Sequence, residues 1–230
     1  MDSPMLRLLR RNSWGPYQFL MNRLAIWPGW NLFLFKLQHL DWDALYKSPM
    51  HGPGHIERTM LHGAMCAMED DLDAEDTALL LECCAYHDVG RVNDSKDDLH
   101  GHRSAARLAE LTGRDGEELK MMMAAVDAHS RPERDLEPTL RRYGVADWAR
   151  SLRLAQLLKD ADGLDRVRIW DLDVRHLRRE ASRAREDFAE YLFEVYQREA
   201  GESTTPPFPP ELLEKLAARK AARDRARGRD

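Results

Sequence analysis

The sequence predicts an all-α protein: a helical bundle preceded by an N-terminal extension and followed by a charged helix. Three observations predict it. From residue 54 onward apolar side chains recur at three- and four-residue spacing, helix-start and helix-stop residues punctuate that pattern, and runs alternating apolar with polar residues, the mark of a half-buried strand, are missing. A first helix is expected near Gly54–Asp70, with Pro53 before it and Ile56, Met60, Leu61, Ala64 and Met68 on one face. A second, near Ala74–Asp88, is strongly apolar and therefore central, with Gly90 closing it. The polar, acidic stretch Arg91–Leu99 is expected as a loop. Helices follow near His100–Thr112 and Gly116–Ser130, a break at Pro132 and Pro138, a helix over Ala146–Arg168, and two charged ones near Leu172–Arg183 and Arg185–Glu199.

Outside this bundle of residues 51–200, residues 1–50 hold four of the six tryptophans, Trp14, Trp27, Trp30 and Trp42. They are expected either to pack on the main domain or to fold over the site as a lid, a membrane-surface element being a further reading. Residues 201–209 have the composition of a linker, and Glu211–Arg227 is a helix-prone tail whose Lys and Arg residues suit a solvated face.

The 230 residues can bury a core, and a net charge of −5 argues against broad electrostatic capture of nucleic acid. Three cysteines without a CxxC pair suit a reducing cytosol and make a disulfide framework or zinc ribbon unexpected. The N-terminal Met5-Leu-Arg-Leu-Leu-Arg-Arg11 lacks a following apolar run, and Trp30–Phe35 is far below the ~20 residues of a spanning helix. The chain is expected to be cytoplasmic, with oligomer formation open. Glycine-rich phosphate loops, nucleophile elbows and dinucleotide fingerprints are absent.

Chemistry is expected in Cys83-Cys84-Ala-Tyr-His87-Asp88-Val-Gly90-Arg91, where adjacent imidazole and carboxylate end an apolar run. Partners stand at long spacing: His55, His100, His129 and Asp162. His62 shares a helix face with His55 and competes with it. His100 and His102 point roughly 200° apart in a helix, so only one serves a given centre. On the Ala146–Arg168 helix, Asp165 projects nearly within the apolar stripe, Asp162 roughly 80° and Asp160 roughly 120° from its centre, so Asp160 is expected at the surface. Asp162 and Asp165 both call for a cation or donors.

The order His55, His87-Asp88, Asp162 resembles the H…HD…D pattern of the HD-domain superfamily of metal-dependent phosphohydrolases. His51-Gly-xx-His55-xx-Arg58 is similar to the opening of many members, His87-Asp-Val-Gly-Arg91 to their HD turn, and Asp160-Ala-Asp162-Gly-Leu-Asp165 to their final word, whose middle Asp binds metal. The resemblance covers about residues 51–170 and implies an HD-domain helical bundle. It implies a hexad of His55, His87, Asp88, His100, His129 and Asp162, with Asp88 bridging two divalent ions drawn from Fe, Mn, Ni, Co, Zn or Mg. His100-Gly-His-Arg-Ser104-Ala105 resembles the word carrying the third His, with Ser where Gly is usual. No second His and no GYP word follow His129, so cyclic-di-GMP cleavage is not implied.

The implied reaction is hydrolysis of a phosphoester, small or nucleotide-like, with Asp88 in the catalytic centre. Arg91, and Lys159 or Arg166, are candidates to bind substrate phosphate, the alternative for each being an ion pair with Asp94, Asp98 or Asp165. A mixed-valent di-iron oxygenase and a noncatalytic metal-binding regulatory module are the other readings of the same ligand set.

Overall fold

The helix α4 (Pro53–Glu69) is the axis on which the rest is assembled, and it opens with proline at its first position, where the missing N–H costs nothing. The computed structural model describes residues 2–226 and 228. Three helices precede α4: α1 (Pro4–Arg11), α2 (Gln18–Ile26) and α3 (Trp30–Gln38). After it come α5 (Ala74–Tyr86), α6 (His100–Ala105), α7 (Leu108–Thr112), α8 (Gly116–His129), α9 (Leu136–Tyr143), α10 (Trp148–Leu164), α11 (Glu180–Arg183), α12 (Glu186–Ala200) and α13 (Pro210–Ala226). The described residues contain no strand, and the fold is all-α. None of their helices is long and apolar enough to cross a membrane.

Local chemistry sets most of these ends. Asp73 caps α5 by accepting the Asp76 N–H at 2.8 Å, and Asp147 caps α10 by accepting that of Arg150 at 3.0 Å. α10 lies against α4, α5 and α8, and α8 packs against α6 and α9. The four longest elements of this group therefore enclose one core, lined by Ile56, Leu61, Leu80, Cys84, Val126 and Leu158 among others.

The N-terminal helices belong to that core: Met5, Trp14, Met21, Leu24, Phe33 and Leu37 are all buried in it. A buried carboxylate ties them down. Glu57 of α4 accepts from Ser3 Oγ, from the Met5 N–H at 3.4 Å and from Tyr196 Oη at 2.6 Å, joining α1 and α12 to α4. Burial raises the Glu57 carboxyl above its ordinary range, against the pull of these donors. Trp14→Ala is expected to cost about 3–5 kcal/mol in a denaturant titration, the range for emptying a large aromatic site in a packed core.

Several expected elements take a different form. Instead of one helix over Leu172–Arg183, the chain makes a 3₁₀ turn at Val174–His176, an extended Leu177 and the short α11. Asp160 causes the interruption. Expected at the surface, it is fully buried and accepts the backbone N–H groups of Arg178 and Arg179 at 2.8 and 2.9 Å, removing them from any helical ladder. The helix expected over His100–Thr112 breaks at residues 106–107, which turns the chain so that Leu108 enters the core. Pro138 does not break the chain. It lies in the first turn of α9, where no intrahelical N–H is needed.

The charged tail is a helix but is not merely solvated. Leu216 of α13 is buried, Lys220 pairs with Glu190 at 3.0 Å, and Arg223 donates to the Trp170 carbonyl at 2.7 Å. Arg227, the expected end of this helix, lies outside the described residues.

Candidate metal centre

The ends of α5 and α8 face each other across α4 and α10, and each presents a histidine. His87 follows the last residue of α5, and its Nδ1–H donates to the carbonyl of Cys84, three residues back, at 3.0 Å. His129 closes α8 and donates in the same way to Val126, at 2.5 Å. Carbonyls of a helix's last turn lack intrahelical partners, so the sequence position of each imidazole supplies one. His100 opens α6 and donates from Nδ1 to the Asp97 carbonyl. His55, in the first turn of α4, donates from Nδ1 to Asp165 Oδ2 at 2.7 Å.

All four rings therefore carry their proton on Nδ1, and all four Nε2 lone pairs point inward. His55 Nε2 lies 3.0 Å from His87 Nε2, and His100 Nε2 lies 2.9 Å from His129 Nε2. Neither pair has a proton to share. Two carboxylates join them: Asp162 Oδ1 is 3.3 Å from His55 Nε2, Asp88 Oδ2 is 3.6 Å from the same atom, and Asp88 Oδ1 is 3.0 Å from His100 Nε2. Six electron-pair donors converging without hydrogens make a stable arrangement only around cations. Asp88 Oδ1 is buried, and the Arg91 guanidinium, with Nε 2.9 Å away, already sets one positive charge beside it. The donor set of imidazole nitrogen and carboxylate oxygen fits borderline and hard divalent ions.

Protonation states agree with this. Burial pushes the His87 imidazole down to about 3 and lowers that of His129, keeping both neutral. Burial also disfavours the Asp88 carboxylate, yet its polar surroundings, the Arg91 guanidinium among them, offset this and hold the carboxyl well below its usual range. Three overlapping groups could hold a metal ion: His55, His87 and Asp88; His87, His129 and Asp162; and Asp88, His100 and His129.

The HD domain family model matches residues 54–167. These residues are an HD domain. No curated protein and no solved structure matches the chain.

The HD domain holds its histidines with a second layer of contacts. Asp165, which helical projection ranks ahead of Asp162, lies one shell out: it binds His55 and receives Arg58 through Nε at 2.7 Å and Nη2 at 3.1 Å. Burial opposes its charge, and Arg58 more than offsets this, holding the Asp165 carboxyl below the usual range. Arg58 is itself flanked by the rings of Phe193 and Tyr196, 5.1 and 4.8 Å from its guanidinium. Gly90 has a packing task. A Cβ there would stand 2.3 Å from Ser104 N and 2.6 Å from the His100 carbonyl, so only glycine lets α6 close on the turn that carries His87 and Asp88.

Arg91 pairs with Asp88 Oδ1 at 2.9 Å rather than with Asp94 or Asp98. Arg166 pairs with Asp171. Lys159 takes a different place from the one expected. Its ammonium donates to the carbonyls of Ala128, His129 and Arg131 at 3.1, 3.4 and 2.8 Å, so its three hydrogens are committed to the end of α8. Burial, reinforced by Arg178, lowers it to about 8. His62 is fully buried against Phe188 and belongs to none of the three groups. His102 points away to Asp127, with Nδ1 3.1 Å from Oδ2. His102→Ala is expected to leave the metal content of purified protein unchanged, measured by elemental analysis.

Two cavities open on the cluster and share His129, Asp162 and Arg166. Arg168, not singled out by any motif, is buried and lines one of them. No residue before Met50 lines either cavity among the described residues. Met50, the last residue of the extension, lines the smaller cavity, and Ser48 Oγ donates to Asp94 of the same wall at 2.6 Å. Arg219 and Arg223 of α13 line the other cavity. Their only sequence signal was charge, which a solvated helix shares.

Proposed function

We propose that this HD domain is a phosphohydrolase whose centre holds two divalent ions bridged by Asp88. The observation that carries the proposal is the division of Asp88. Its Oδ1 faces His100 and His129 at 3.0 and 3.7 Å, while its Oδ2 faces His55 and His87 at 3.6 and 3.8 Å. One carboxylate thus addresses two histidine pairs, and Asp162 completes the first. Two ions bound there would lower the pKa of a water between them and neutralise phosphoryl oxygens as charge develops.

The chain's own residues do the rest. Asp165, Cys84 O, Asp97 O and Val126 O hold the four imidazoles in the tautomer that offers Nε2. Lys159 fixes the end of α8 and so the position of His129; it is a positioning residue. Arg91 keeps Asp88 ionised, and Arg166, standing where the two cavities meet, is placed to bind a phosphoryl oxygen. The natural substrate on this reading is a phosphorylated small molecule or nucleotide rather than nucleic acid captured by charge.

The test strips the protein with chelator, reloads it with Mn, Fe, Co, Ni, Zn or Mg singly, and follows phosphate release from a panel of phosphomonoesters and phosphodiesters. Release that requires metal is expected for at least one ester. A metal-loaded protein that hydrolyses none, or an iron-loaded protein that consumes oxygen without releasing phosphate, overturns the proposal.

A further inference from the structure

The two cavities that meet at Asp162 differ in charge. The smaller, of about 420 Å³, is walled by the 94–98 loop, whose Asp94, Asp97 and Asp98 with Asp162 balance its four Lys and Arg residues. The larger, of about 580 Å³, is lined by seven Lys and Arg residues against four carboxylates. In a chain of net charge −5 this is a local inversion of sign, and such a concave cationic surface concentrates anions.

Within that wall two cations stand apart. Arg219 and Arg223 lie one helical turn apart on α13, so both face the cavity. Neither has a carboxylate within ion-pair distance among the described residues, whereas every other Lys or Arg of the wall has one. Arg223 donates to the Trp170 carbonyl at 2.7 Å, which orients its guanidinium without neutralising it. α13 also lies outside residues 54–167, so this part of the wall is an addition of this chain to the HD domain. It is held in place by Leu216 and by Lys220 on Glu190.

We infer that the substrate carries a second anionic group, remote from the scissile phosphoester, which Arg219 and Arg223 bind in the larger cavity. This rests on the phosphohydrolase reading for what happens at the metals, but the anion arm is a separate binding event. The reacting phosphoryl group sits at Asp162, where the cavities join, and the body of the molecule runs toward α13. Two guanidinium groups with no carboxylate within ion-pair distance among the described residues suit a terminal phosphate.

Linear α,ω-alkane bisphosphonates of increasing length, whose C–P bonds resist hydrolysis, measure the arm by calorimetry on metal-loaded protein. Monophosphonates of the same chain length are the control. One length is expected to bind about tenfold or more tightly than its monophosphonate. In the double variant R219E/R223E that advantage is expected to fall below about threefold, with the helical circular dichroism of the wild type retained. A bisphosphonate advantage that is missing at every length, or that survives in the double variant, overturns the inference. Failure of the hydrolase reading looks different: bisphosphonate preference without hydrolysis of any ester leaves the arm standing, and hydrolysis of p-nitrophenyl phosphate without the preference removes the arm alone.

Discussion

Asp88→Ala is expected to empty both halves of the cluster at once, because its two carboxylate oxygens are the groups that address His55 with His87 on one side and His100 with His129 on the other. The loss in metal affinity should exceed about 100-fold, the upper end of what removing an outer partner of a ligand costs. Asp165→Asn supplies that comparison. It leaves all six inward donors in place and weakens the hold on His55 Nδ1 together with the buried ion pairs to Arg58 and Arg168, so a loss of about 10–100-fold, confined to the His55 half, is expected alongside a lower melting temperature. Elemental analysis after dialysis against a graded chelator separates the two outcomes. Equal metal content in Asp88→Ala and wild type would remove Asp88 from the centre.

Arg58→Ala is expected to be strongly destabilising, as much as Trp14→Ala. It deletes a fully buried guanidinium that contacts Asp165 through two nitrogens, and leaves the Asp165 carboxylate in low dielectric with only the more distant Arg168 as a counter-charge, 3.6 Å away. Breaking a buried pair from one side costs about 3–5 kcal/mol. For a domain of this size that is roughly 6–20 °C in melting temperature. The measurement belongs on chelator-treated protein, so that metal binding does not mask the loss. The contrasting change is Arg11→Ala, whose partner Glu199 it meets at the surface with 60% of its side chain exposed; that should cost about 0–1 kcal/mol.

The sequence made the cluster legible because its members are of metal-binding type and stand at the ends of segments with clear helical period. His87 and His129 end strongly apolar helices, and His55 opens one behind a proline. The order of those residues carried the family resemblance that the HD domain match bears out. What escaped was carried by groups the sequence does not display. The carbonyls of Cys84, Asp97 and Val126 set three imidazole tautomers, and backbone atoms leave no mark on composition.

Asp160 was misplaced for a related reason. Projection around a helix axis measures distance from the apolar stripe, but Asp160 is buried by the non-helical segment 177–179 folding over it, whose N–H groups it binds. The same contact explains why a continuous helix over Leu172–Arg183 does not form. Lys159 was expected to reach substrate because it lies beside Asp162 in sequence. Three carbonyls at the end of α8 claim its donors instead. The N-terminal tryptophans allowed both a lid and a core role, and only the position of Trp14 beneath the helices places it in the core.

The most direct test of the account counts ions and assigns them to halves. Chelator-stripped wild type, His55→Ala and His129→Ala are titrated with Mn²⁺ at equilibrium, and bound metal per chain is measured. The account predicts about two ions in wild type and about one in each variant, the two variants losing different ions because Asp88 serves both halves. A single ion in wild type that both substitutions abolish, or no ion bound at all, would contradict it.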